Sequence, residues 1–303
     1  MLEYLRLKLL VTSIRLPVAI KAFISGSRPQ PDEVIHIPSR EPGRVINANV
    51  YKATLRNGPQ PVLINFHGSG FVLPLHGSDD EFCRHISTNT DYTVIDVAYR
   101  LAPEYPFPAA LEDVEDAIRW AKSQPKIYDL TRLSTSGFSA GANLALVASA
   151  SSFTKGTINS VIAYYPPVDI AQDPDSKVAP DPSGNPIPAS LARIFNDCYL
   201  QSGVDPKDPR VSPTFLSVDS FPSNLFLITC GLDTLAPEAE ELAERLKKVE
   251  GINLEHKRME KCDHAWNIST QEGTPQDAAK KEAYAMTVDF LNRLGISWQG
   301  SRR

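Results

Sequence analysis

Apolar residues recur along this chain with two periods that take turns. Short runs dense in Val, Ile, Leu and aromatic side chains fall at 34–37, 46–51, 62–66, 93–98, 133–136, 160–165, 225–230 and 254–259, and read as strands. Between them, helical spacing predicts helices. At 109–122 the apolar side chains are Ala110, Val114, Ala117, Ile118 and Ala121. A small-residue stretch, 140–151, reads as a buried helix. Further helices are expected at 188–200, at 237–249 after Pro237, and at 276–294. Strands alternating with helices predict an α/β fold with a mostly parallel sheet and helices on both faces. Residues 166–223 break this rhythm with Pro, Asp, Ser and Gly, and read as an insertion.

The chain opens differently. Residues 2–24 are rich in Leu, Ile and Val, but Glu3, Arg6, Lys8, Arg15 and Lys21 interrupt them. No apolar run reaches the roughly 7–15 residues of a signal peptide or the about 20 of a membrane span. The stretch reads as an amphipathic helix, broken or bent near Pro17, packed on the body or serving as a lid or interfacial segment. A loop with one short strand follows over 25–44. No stable membrane insertion is expected.

Composition narrows the class. The 303 residues are 42% hydrophobic and 22% charged, enough for a sizeable core without a metal or disulfide staple. A net charge of −5 argues against a nucleic-acid partner. Cys83, Cys198, Cys230 and Cys262 form no C-x-x-C pair, which points to reduced thiols and a cytoplasmic protein with no metal site. One N-x-S sequon, Asn267–Ser269, is a weak opposing sign.

Gly137-Phe138-Ser139-Ala140-Gly141 fits G-x-S-x-G, between a strand and a helix. A serine on so sharp a turn needs small flanking residues, and the helix start behind it adds positive potential. A serine hydroxyl also needs a base. Only His256 and His264 follow Ser139. His256 lies within a strand-like run, whereas His264 lies in the loop after it, so His264 is the candidate base. Asp233 directly follows the strand at 225–230, at a carboxyl strand end, and is the candidate orienting acid. Asp263 is its adjacent competitor and reads as a solvated loop residue. His67-Gly68-Ser69-Gly70 follows the strand at 62–66. The backbone amides of Ser69 and Gly70, with that of Ala140, are the expected oxyanion donors. Phe71 and Phe138, beside these motifs, are the expected substrate contacts.

These motifs coexist with Tyr99-Arg100-Leu101-Ala102-Pro103-Glu104, the following Pro106-Phe107-Pro108-Ala109-Ala110, Asp208-Pro209-Arg210-Val211-Ser212-Pro213 and Gly231-Leu232-Asp233. Together they resemble the hormone-sensitive-lipase family of α/β-hydrolases, from about residue 60 to the C-terminus. The resemblance implies an α/β-hydrolase fold with an eight-stranded, mostly parallel sheet. It implies a helical cap from residues 1–45 and 168–215, over a catalytic domain of 46–167 and 216–303. It further implies hydrolysis of short- to medium-chain acyl esters without a cofactor, and homodimers paired through the edge of the eighth strand. Glu238 matches the family's acidic position after the catalytic Asp. Three departures bear on substrate preference. Ser69 replaces the middle glycine of H-G-G-G, Phe138 replaces a carboxylate, and Asp-His-Ala-Trp replaces the usual His-Gly-Phe. The G-F-S-A-G elbow is similar to that of fungal enzymes that deacetylate secondary metabolites.

Two other readings share the motifs. An amidase, formamidase or peptidase would use the same three residues. A non-catalytic receptor of this fold, like the plant gibberellin receptors, would lack the histidine that His264 supplies.

Overall fold

In a computed structural model, residues 2–25, 28–54, 58–201 and 203–300 are described. Residues 26 and 27, in the loop expected at 25–44, lie outside them.

Eight strands form one sheet: β1 (Glu33–Pro38), β2 (Val45–Tyr51), β3 (Gln60–Phe66), β4 (Thr93–Val97), β5 (Tyr128–Phe138), β6 (Ser160–Tyr164), β7 (Asn224–Cys230) and β8 (Asn253–Met259). Their order is β1-β2-β4-β3-β5-β6-β7-β8. β1 and β2 pair antiparallel, as do β2 and β4, and every other pairing is parallel.

Period-two alternation sorts the core into two layers. Val62, Ile64 and Phe66 of β3, Val161 and Ala163 of β6, and Leu225 and Leu227 of β7 bury on one face. There they meet α3 (Ala109–Lys122), α4 (Ala140–Val147) and α6 (Ala236–Leu246). Leu63, Ile162, Tyr164, Phe226 and Ile228 bury on the other, against α2 (Asp80–Asn89) and α7 (Pro275–Gly300). Both faces are covered, which is why these strands read as continuous apolar runs.

Three local outcomes differ from the sequence reading. The helix α2 gives little sequence signal, because Asp80, Glu81, Arg84 and His85 surround a buried face whose apolar residues are only Phe82, Cys83 and Ile86. Strand β5 begins at Tyr128, where Asp129, Thr131 and Arg132 hide it, and its register against β3 shifts at Pro61/Val62. Helix α1 (Leu2–Ser25) runs through Pro17 without a break, and Pro17 lies on its exposed side.

The 166–223 stretch contains one helix longer than a single turn, α5 (Ala189–Leu200), against which α1 packs. Its two ends are held together: Asn143 of α4 donates to the carbonyls of Pro167 and Val211 at 2.8 and 2.9 Å. Among the described residues no helix is long and apolar enough to cross a membrane. All four cysteines are free and buried. Asn267 is buried too, between Tyr165 and Tyr284, so the sequon presents no exposed acceptor.

Candidate active site

Ser139 sits between the end of β5 and the first residue of α4, with φ 51° and ψ −120°. A positive φ is strained for a residue with a Cβ, so the surroundings must hold it there. The Ser139 amide donates to the Tyr164 carbonyl at 2.9 Å, and the Asn143 amide donates to the Ser139 carbonyl at 3.0 Å. The flanking glycines are required sterically. A Cβ on Gly141 would lie 2.0 Å from the Phe66 carbonyl oxygen, and one on Gly137 2.4 Å from the Gly141 backbone. Both obstacles are backbone and cannot swing away. Gly141→Ala is therefore expected to destabilise the fold by at least about 3 kcal/mol, read as a lower urea midpoint at unchanged slope.

His264 bridges two residues that are distant in sequence. Its Nε2 lies 2.8 Å from Ser139 Oγ, and its Nδ1 lies 2.7 Å from Asp233 Oδ2. Asp233 is fully buried, and its other carboxylate oxygen accepts the Leu235 amide at 3.1 Å. The loops after β7 and β8 are stitched side by side by Gly231 N to Met259 O, at 2.9 Å, and Leu232 N to Cys262 O, at 3.1 Å. Gly231 permits this approach, since a Cβ there would sit 2.2 Å from the Glu260 carbonyl oxygen. The Tyr165 ring supports the His264 ring edge-on at 4.7 Å.

The competitors lie elsewhere. Asp263 accepts the Asn185 amide at 2.6 Å, pinning the insertion rather than meeting solvent alone. His256 lies half-buried, 2.9 Å from Thr229 Oγ1, and burial lowers its pKa.

The loop after β3 passes beside the serine: a Cβ on Gly68 would lie 3.6 Å from Ser139 Cβ. Gly70 and Phe71 both have positive φ, 55° and 63°. The Ser69 hydroxyl takes part in a directed chain. Phe71 N–H donates to Ser69 Oγ at 2.8 Å, Ser69 and Tyr99 hydroxyls meet at 2.7 Å, and Tyr99 donates to the His67 carbonyl at 2.6 Å. Since the Tyr99 proton is committed to His67, Ser69 donates to Tyr99 and accepts from Phe71. The side chain that replaces a glycine thus stabilises the turn behind the cleft. The His67 ring stacks on Tyr99 at 4.4 Å, and burial pushes its pKa down to about 3, so it stays neutral.

The other polar residues of the Tyr99–Glu104 motif are equally occupied. Arg100 donates from its amide and Nε to Asp113 of α3, and Glu104 receives Arg15 of α1 at 2.9 and 3.0 Å. The motif ties the glycine loop, α3 and α1 into one unit.

A cleft with about 630 Å³ of empty space opens over Ser139. Gly70 and Phe71 line it, together with Pro167, Ile170, Ile187, Ala192, Phe195 and Leu235. Phe71 stacks on Tyr199 at 3.7 Å. Phe138 is not at the cleft, which corrects the expectation that it contacts substrate. It is buried on the α2 side of the sheet, with its ring edge-on to Phe82 at 5.0 Å. Side chains alternate across the sheet, so the residue before Ser139 points into the core.

Phe195 carries no motif in the sequence, yet it lines the cleft. Its ring lies where a Cβ on Gly70 would be, 2.4 Å from that position. The helical spacing at 188–200 announced the helix, but nothing in it told which side faces the serine. Glu238, buried, accepts the Val168 and Asp169 amides at 2.8 and 3.1 Å and pairs with Lys177. Burial raises its pKa while Lys177 opposes the shift. It anchors the start of the insertion.

A family model described as alpha/beta hydrolase fold matches residues 63–268. The chain is 32% identical over 249 residues to carboxylic ester hydrolase LipN of Mycobacterium tuberculosis (strain ATCC 25618 / H37Rv), covering 78% of this chain and 65% of that protein. The match therefore spans just under two thirds of that relative. It is 28% identical over 237 residues to an ethyl acetate hydrolase of Pseudomonas putida, covering 75% and 74%. Among solved structures, an esterase of Pyrobaculum calidifontis superposes with a TM-score of 0.79 at 26% identity, covering 94% of this chain and 93% of that one.

Proposed function

This chain belongs to the α/β-hydrolase family, on its hormone-sensitive-lipase branch, and from that membership we propose that it is a serine carboxylesterase with Ser139, His264 and Asp233 as its catalytic residues. The observation that carries the proposal is the pair of short contacts made by His264, 2.8 Å to the serine oxygen and 2.7 Å to a buried carboxylate. Names of similar proteins, a carboxylic ester hydrolase and an ethyl acetate hydrolase, support the ester bond as target.

His264 Nε2 takes the Ser139 proton as Oγ attacks the ester carbonyl. Asp233 holds the imidazole with its proton on Nδ1 and stabilises the cation that forms. The amides of Gly70, Ala140 and Ser69 receive the developing oxyanion. The Ala140 amide opens α4, where a first-turn N–H has no intrahelical acceptor. His264 then protonates the leaving alcohol, and a water that it deprotonates releases the acid from the acyl-enzyme.

The expected division is a cap of 1–45 and 168–215 over catalytic parts 46–167 and 216–303; within the first segment β1 (Glu33–Pro38) pairs with β2 and belongs to the sheet, so the cap share of that segment precedes β1. A homodimer through the free edge of β8 and a cytoplasmic location, in keeping with four free thiols, complete the proposal.

Hydrolysis of p-nitrophenyl acetate, butyrate, octanoate and palmitate, beside matched anilides, tests it. Turnover is expected to peak at the short and middle chains. Hydrolysis of the anilides alone would overturn the ester reading in favour of an amidase.

Phe195 separates the cleft from α1, as it packs with Leu7 and Val11. Phe195→Ala is expected to raise the octanoate-to-acetate ratio of kcat/KM about tenfold, as one to two extra methylenes find room. Ala192→Phe, on the same helix, is expected to lower that ratio.

A further inference from the structure

Helix α1 is apolar on two opposite sides. At about 100° per residue, Leu7, Val11, Ile14 and Val18 fall within about 60° of its circumference. Leu2, Leu5, Leu9, Leu16 and Ile20 fall within a second arc of about 60°, on the far side. The first set is buried or half-buried and meets α5 and the loop after β3. The second set is 49–86% exposed. The helix is therefore apolar on two faces rather than on the single face that the expected amphipathic helix would have.

The outer stripe is held outward. Arg15 donates to the Val72 carbonyl at 2.9 Å, to the Ala102 carbonyl at 2.7 Å and to Glu104, which fixes the rotation of α1 on the body. The stripe is thus a property of the folded protein.

We infer that this face docks the protein on an anionic lipid bilayer. Arg6 and Lys8 flank the stripe on its two sides, both exposed. Residues 2–25 hold four cations (Arg6, Lys8, Arg15, Lys21) and one acid (Glu3); with Arg15 neutralised by Glu104 of the body and Arg6 paired to Glu3, the helix still carries a surplus of two positive charges, while the whole chain is −5. That polarity draws this helix to an anionic surface and sets it against the same helix of a second copy. Area argues the same way. Five side chains on one helix fall far short of the roughly 20–30 residues a side of a stable protein interface, whereas a bilayer takes up such a helix in its headgroup layer. The helix is not apolar enough to cross a membrane, so it lies along the surface. It rests on α5, whose Ala192 and Phe195 line the cleft over Ser139. Docking therefore brings the cleft within one helix of the lipid.

The test is co-sedimentation of the full chain with vesicles of phosphatidylglycerol and phosphatidylcholine in equal parts, and with phosphatidylcholine alone. The triple variant Leu5→Glu, Leu9→Glu, Leu16→Glu is run beside it, each change on an exposed position. The wild type is expected to pellet with the anionic vesicles and at least about tenfold more weakly with the neutral ones. The variant is expected to stay in the supernatant while hydrolysing soluble p-nitrophenyl esters at the wild-type rate. A wild type that stays in solution, or a variant that pellets equally, overturns the inference. Equal binding to both vesicles removes the anionic requirement and overturns it as stated. A dimer by light scattering that the three substitutions dissociate assigns the face to a second copy, and overturns it as well.

Discussion

Ser139→Ala is expected to lower kcat on p-nitrophenyl butyrate by on the order of 10⁶-fold, with the fold unchanged. The substitution removes one oxygen, whose side-chain partner is His264 Nε2 at 2.8 Å. Alanine carries the same Cβ as serine, so the positive φ of 51° is no more strained than before, and the elbow's backbone bonds remain. Without the nucleophile no acyl-enzyme forms, and what remains is attack by water helped only by the oxyanion donors. Near-native circular dichroism and urea midpoint, with turnover lost, are the expected pair of results. Residual activity within about tenfold of wild type would remove Ser139 from the chemistry.

Asp233→Asn is expected to lower kcat by on the order of 10⁴-fold. The carboxylate accepts from His264 Nδ1, which leaves Nε2 free to take the serine proton. An asparagine amide turned toward Nδ1 donates instead, which puts the ring proton on Nε2, where it blocks the base. The effect is one of tautomer and charge, because the side chain keeps its shape and its burial. Asp263→Asn is the control. Asp263 is the nearer neighbour in sequence but faces the Asn185 amide, so its substitution leaves kcat at the wild-type level. Equal losses in the two variants would show that the adjacent carboxylate, and not Asp233, orients the base. Combining Ser139→Ala with Asp233→Asn is expected to cost no more than Ser139→Ala alone, since both act in one step.

Most of the sheet was legible because its strands are buried on both faces and so read as continuous apolar runs. The start of β5, and the helix α2 beside the sheet, were not, because they carry their core contacts on few residues among charged ones. The nucleophile elbow was legible for a different reason. Backbone packs against backbone at Gly137 and Gly141, and such a restriction leaves its mark on residue type. The same restriction marks Gly231 in the turn that carries Asp233.

The substrate side resisted reading because it depends on rotation. Phe138 stands beside Ser139 in sequence but on the far side of the sheet, buried against Phe82, since neighbouring strand residues point opposite ways. Phe195, more than fifty residues away, reaches the cleft because α5 turns that side inward. Ser69 is one of the departures expected to bear on substrate preference, yet its hydroxyl is bound between Phe71 and Tyr99.

By itself, then, the sequence determined the fold class and the elbow and pointed to Ser139, His264 and Asp233 as the proposed triad, because each depends on local backbone sterics or on chain order along a parallel sheet. The tertiary structure alone decided which side chains face the cleft, what holds the glycine loop and which stripe of α1 meets the outside. Those depend on how each helix is rotated against its neighbours, and rotation is set by long-range contacts such as Arg15 with Glu104 that no local pattern encodes.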